Sequence, residues 1–128
     1  GDGEQVRAFS DIQYYMEPFE KLIDCCDGEI FNLGSDQTHT LNELANLVKR
    51  AAKGNGVSAT IEHVEPRHEA KYAFCDHSKA KKSTLKFEDN TDLESLINEM
   101  FVWAIDQPKR EQKYMSYEIE KGIYDYWK

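Results

Sequence analysis

Cysteine and proline are scarce: three of each in 128 residues. Two of the cysteines, Cys25 and Cys26, are adjacent, the total is odd, and no spacing suggests a disulfide framework, so a reducing, cytoplasmic setting is expected. No apolar run approaches the roughly 20 residues that a membrane-spanning helix needs. The opening Gly1-Asp2-Gly3-Glu4 has neither the basic stretch nor the apolar run of a signal peptide. Positive charge is short as well: 16 Lys and Arg stand against 24 Asp and Glu, a formal charge of −8, which argues against non-specific nucleic-acid binding. What remains is 40% apolar and 12% aromatic, enough for a packed core and of a size for one domain or part of a larger one.

Periodicity orders the chain. Gly1-Asp2-Gly3 is a turn signal with Val6, Ala8 and Phe9 behind it, the second half of a hairpin whose first strand is expected to precede Gly1. Ile12, Tyr15, Met16, Phe19, Leu22, Ile23 and Cys26 fall on one helical stripe, with Pro18 predicting a kink or a later start. Glu29-Ile30-Phe31-Asn32-Leu33 reads as a short buried strand. Thr40 and Glu43 have capping-box spacing ahead of Leu41, Leu44, Ala45, Val48 and Ala52, and Gly54-Asn55-Gly56 stops that helix. Alternation over Val57, Ala59 and Ile61 predicts another strand. Asp76 or Ser78 caps a short helix through Leu85, and Thr91 with Glu94 forms a second capping box ahead of a stripe from Leu93 to Ala104. Residues 108–128 form an aromatic tail expected to dock on a surface. The expected class is mixed α/β.

Several chemistries can be set aside. Four histidines and three cysteines show no C-x-x-C or H-x-x-x-H spacing, so no metal site is assigned. Tyr117 and Lys121 match the Tyr-x-x-x-Lys of short-chain dehydrogenases, but no glycine-rich nucleotide loop precedes them, and the match is read as chance. Gly1–Gly3 and Gly54–Gly56 do not continue into G-x-G-x-x-G after a strand, so no NAD site is assigned to this chain. The segment from Glu65 to Lys86 carries six cations and three anions in an otherwise acidic chain. It either holds a small anion or, for Lys81, Lys82 and Lys86, presents a solvated helix face.

Taken together and in order, Gly1-Asp2-Gly3-Glu4-Gln5-Val6-Arg7-Ala8-Phe9-Ser10, Ile30-Phe31-Asn32-Leu33-Gly34-Ser35, Thr40-Leu41-Asn42-Glu43-Leu44-Ala45 and Asp76-His77-Ser78-Lys79-Ala80-Lys81 carry a resemblance. They resemble the C-terminal part of extended short-chain dehydrogenases, the NAD-dependent epimerase/dehydratase family. The register holds from Gly1 to about Ile105. The family's glycine-rich NAD loop and its catalytic Tyr-x-x-x-Lys would lie before Gly1. The resemblance divides the chain into residues 1–35, a hairpin, helix and last strand belonging to a Rossmann domain; 36–107, a nucleotide-sugar substrate domain; and the tail 108–128.

The resemblance implies a diphosphate clamp for a UDP-sugar made by Arg7, in the Gln-x-Arg motif, and Arg67, in the loop before the Asp-x-Ser-Lys-Ala motif. It places Phe9 beside the same site and Glu69 near an acidic position that accepts hydrogen bonds from the nucleotide ribose. Guanidinium forks suit phosphate oxygens. It implies no catalytic residue and no cofactor in this chain, NAD belonging to the full-length enzymes. One departure is plain: where the family places an aspartate at the start of the helix after the first arginine, this chain has Tyr14. The rival expectation is a stand-alone, non-catalytic binding or assembly module derived from that family. Exposed apolar faces over residues 12–33 imply self-association.

Overall fold

The computed structural model describes residues 1–25 and 28–109. Along them run β1 (Val6–Ala8), α1 (Gln13–Cys25), β2 (Thr38–Thr40), α2 (Leu41–Gly54), β3 (Tyr72–Ala73), α3 (Ser78–Lys82) and α4 (Leu93–Ile105). The aromatic tail beyond residue 109, with Tyr117 and Lys121, lies outside the described residues.

A small three-stranded sheet in the order β2-β1-β3 joins distant parts of the chain. β1 pairs antiparallel with β2, Arg7 opposite His39, and parallel with β3, Arg7 opposite Ala73. Both edges of β1 are paired among the described residues. The Gly1-Asp2-Gly3 turn packs on the start of α2. Gly3 adopts φ 75°, a conformation natural to glycine. Asn42 Nδ2 donates to Asp2 O at 2.9 Å and to Glu4 Oε1 at 2.7 Å. The backbone N–H groups of Leu41 and Asn42 donate to Gln5 O and Gly3 O.

The capping box at α2 forms as its spacing predicts. Thr40 Oγ1 accepts from Glu43 N at 3.1 Å, and Glu43 Oε2 accepts from Thr40 N at 2.8 Å. At α4 the cap falls one residue later than predicted. Asp92 Oδ1 accepts from the N–H groups of Glu94 and Ser95. Thr91 is buried instead, its hydroxyl accepting from Asp11 N at 2.8 Å and its own N–H donating to Asp89 Oδ1. The longer reach of the Asp92 carboxylate serves both helix donors, leaving Thr91 to tie α4 to the start of α1.

α1 runs through Pro18, which has no N–H for the Tyr14 carbonyl. Asp11 Oδ1 opens the helix by accepting from Gln13 N, the service that the resemblance expects three residues later. The apolar stripe divides. Tyr15 and Leu22 pack on the buried cluster of Ala80, Leu85 and Phe87, whereas Ile12, Met16, Phe19 and Ile23 face out.

Two expected strands do not form. Residues 29–33 are extended, but among the described residues no strand lies beside them to complete a ladder. Side chains hold the stretch: Asn32 donates to Asp76 O, Lys79 to Ile30 O, and Phe31 and Leu33 pack on the same cluster. Residues 57–61 alternate correctly but likewise find no partner; Val57 N still donates to Ala52 O and so finishes α2. Alternation predicts which residues share a face, and a strand also needs a neighbour to bond.

Candidate functional site

Alternation along β1 puts Arg7 on the face opposite Val6 and Ala8. Its Nη1 donates to Val6 O at 2.8 Å and Lys71 O at 3.4 Å, and its Nη2 donates to Glu69 Oε2 at 3.5 Å. The side chain is 22% exposed, so the guanidinium is gripped along its inner edge with its outer edge toward solvent.

Arg67 and Glu69 both line an open groove of about 270 Å³, together with Gly1, Gly3, Gln5, Leu41, Asn42 and residues 61–65. Arg7 itself is not among the groove's lining residues, and Glu69 is the groove residue that it reaches. Glu69 is bonded by Arg7 and lies along the same groove as Arg67. Phe9 is half-buried just after β1 and is not among the groove's lining residues. The turn held by Asn42 is part of that lining, so the two sequence motifs at 1–10 and 40–45 meet at this groove.

The basic segment is largely paired. Lys79 Nζ lies 2.5 Å from Glu29 Oε2 and 4.6 Å from the Phe31 ring centroid. Lys81 bonds Asp36. Those partnerships hold the Glu29 and Asp36 carboxyls below their usual range, in each case chiefly through the lysine hydrogen bond. Lys82 and Lys86 are exposed, as a solvated face requires.

A groove of about 870 Å³ between α2 and the start of α4 was not anticipated in the sequence. Lys49, Arg50 and Lys53 line one side, and Asp92 and Glu94 the other; Arg50 Nη2 bridges it to Glu94 Oε1 at 3.0 Å. The three cations stand on one helix, in a stretch from residue 44 to 61 that has no acidic residue. Among the described residues no group of three or more His, Cys, Asp or Glu side chains is placed to hold a metal, and no helix is long and apolar enough to cross a membrane.

No family model and no curated protein matches the chain. Solved structures do. UDP-glucose 4-epimerase from Thermotoga maritima, solved with UDP-glucose, superposes with a TM-score of 0.70 at 25% identity, over 82% of this chain and 33% of that one. A variant of UDP-glucuronic acid 4-epimerase from Bacillus cereus, in complex with UDP-4-deoxy-4-fluoro-glucuronic acid and NAD, superposes with a TM-score of 0.66 at 21% identity, over 80% of this chain and 33% of that one. The described sheet and helices therefore have the fold of part of a nucleotide-sugar epimerase. The chain spans about a third of the length of each of these enzymes.

Proposed function

We propose that this chain is the nucleotide-sugar-binding, C-terminal part of an NAD-dependent sugar-nucleotide epimerase or dehydratase. The observation that carries the reading is the fold shared with a third of UDP-glucose 4-epimerase. In this reading residues 1–35 derive from the Rossmann domain and 36–107 from the substrate domain, with the three-stranded sheet tying them together. Arg7 and Arg67 take the diphosphate, Glu69 the ribose hydroxyls, and Phe9 stands beside them. An incoming diphosphate competes with Glu69 for one edge of Arg7, whose five N–H donors allow both partners. The sequence carries no glycine-rich phosphate loop, so NAD is given no seat on this chain and hydride transfer falls to the rest of such an enzyme.

Calorimetric titration of UDP-glucose into the chain, and into longer protein that contains it, is the test. A charge-assisted contact is worth about 1.5–3 kcal/mol, so Arg67→Ala and Arg7→Ala should each weaken binding about 10- to 150-fold. Arg67→Lys should recover only part, because an ammonium lacks the two-pronged fork. Equal affinity in all three proteins would remove the clamp from the proposal.

The second reading, a stand-alone binding or assembly module, rests on the outward stripe of α1. Ile12 is 70% exposed and Ile23 80%, with Met16 and Phe19 between them at about half. Burying such a stripe favours association at roughly 25 cal/mol per Å². Sedimentation equilibrium should show a dimer or larger species that Phe19→Glu with Ile23→Glu converts to monomer. A monomer in both proteins would rule out self-association through this face.

A further inference from the structure

We propose that Cys75, His77 and Asp36 form a thiol site, at which Cys75 is modified by small uncharged electrophiles while His77 takes the thiol proton. His77 is 5% exposed, wedged edge-on against the Phe87 ring with centroids 5.8 Å apart. Its Nε2 lies 2.9 Å from Asp36 Oδ1. An ionised carboxylate only accepts, and Lys81 bonds the other oxygen of Asp36, so Nε2 carries the proton and Nδ1 carries the lone pair. That Nδ1 is buried and has no hydrogen-bond partner. A buried acceptor left bare is costly, and here it is a base without an assigned proton.

The nearest chemistry for it is a thiol. Cys75 is free and half-buried, and with His77, Asp36, Ser35, Ser78 and Lys81 it lines a pocket of about 200 Å³. A Cβ added to Gly34 would stand 2.5 Å from Cys75 Sγ and 3.9 Å from His77 Nδ1. Sulfur and nitrogen therefore both lie beside Gly34, and the sulfur sits where a side chain at residue 34 would stand. At rest the thiol donates to Leu33 O at 3.5 Å, a long and weak bond. In the proposed step the thiol turns from that acceptor toward Nδ1. A nucleophile, a base and a third group orienting the base is the arrangement that activates thiols.

The step balances simply. The S–H proton passes to Nδ1; the thiolate pair forms an S–C bond; the carbon's bond to its leaving group breaks, and that group departs with the electron pair. The imidazolium left behind faces Asp36 from the 34–36 turn and Asp76 at its own N-terminal side, with Lys81 and Lys82 of α3 the opposing charges nearby. The attached group must use the pocket that Cys75 lines and removes the bond to Leu33 O. Modification is thus expected to loosen residues 31–35 from the cluster on which Phe31 and Leu33 pack.

Iodoacetamide is the probe. Alkylation of the full, folded chain near neutral pH is followed at Cys75 by peptide mass spectrometry. Cys75 should react roughly tenfold or more faster in the native protein than in Asp36→Asn or His77→Asn, less than the roughly 100-fold or more of general-base catalysis because part of a free thiol is ionised near neutral pH anyway. His77→Asn alters a core position, so Asp36→Asn, at an exposed carboxylate, is the deciding variant if the first one melts early. Rescue separates chemistry from structure: Asp36→Glu, which keeps a carboxylate acceptor for the imidazole, should recover most of the native rate, whereas Asp36→Asn should not. Equal rates in native and Asp36→Asn protein, or a Cys75 that stays unalkylated while the chain is folded, would overturn the site.

Discussion

Phe87→Ala should lower unfolding free energy by about 3–5 kcal/mol, the usual cost of deleting a buried ring. Against the 5–15 kcal/mol that holds a typical domain together, this is a large share. Phe87 is 1% exposed and, with Leu85, is one of two large side chains fully buried among the described residues. Its ring lies 5.4 Å from that of Tyr15 on α1 and 5.8 Å from that of His77 beside α3. Through Phe31 and Leu33 the same cluster holds the extended stretch that lacks a ladder. One ring therefore joins three segments, and no second aromatic among the buried residues replaces it. Phe87→Leu keeps most of the volume and should cost less than about 1.5 kcal/mol. Urea unfolding followed by circular dichroism decides the matter. A midpoint that Phe87→Ala moves by the equivalent of less than about 1 kcal/mol would mean that the core lies elsewhere.

The helices were legible because each carries a local signal of its own. Thr40 and Glu43 are three residues apart, and the bond they predict needs nothing from the rest of the chain. The stripes of α1, α2 and α4 repeat at helical spacing, and each helix forms within a few residues of where its stripe lies. The strands were less legible, because β1 is defined by partners at residues 38–40 and 72–73 that its own sequence does not name. Residues 29–33 and 57–61 show the converse, with strand-like sequence but no neighbour to bond. The division of the α1 stripe was also hidden: apolar spacing says that Ile12, Tyr15 and Phe19 share a helix side, not which of them meets Phe87. Of the candidate site, the residue types at 7, 67 and 69 were readable from the motif resemblance. The ion pair between Arg7 and Glu69 was not, since β3 must form before residue 69 is carried beside β1. His77 carries no signal as a lone histidine; its buried, unpartnered nitrogen is a property of packing.

Gly3→Ala should cost about 2–5 kcal/mol, a large effect for a methyl group at a surface turn, and its origin can be taken apart. The first part is backbone. Gly3 sits at φ 75°, where a side chain costs about 1–2 kcal/mol. The second part is contact. The new Cβ would lie 2.1 Å from Asn42 Oδ1, so the Asn42 amide must leave its place. Leaving breaks the bonds from Nδ2 to Asp2 O and Glu4 Oε1, each worth about 0.5–1.5 kcal/mol. A double-mutant cycle separates the two parts. In an Asn42→Ala background the collision and the amide bonds are already gone, so adding Gly3→Ala should cost the backbone part alone. The two substitutions should then couple by about 1–3 kcal/mol, measured as the shortfall of the double variant from the sum of the singles. Strict additivity would assign the whole cost to the backbone and leave the Asn42 amide without a part in holding the turn. The same cycle bears on the groove, because this turn and Asn42 line it together with Arg67. If Asn42 anchors the turn, either single substitution should also loosen the groove's lining, and any UDP-sugar affinity should fall with Arg67 itself untouched.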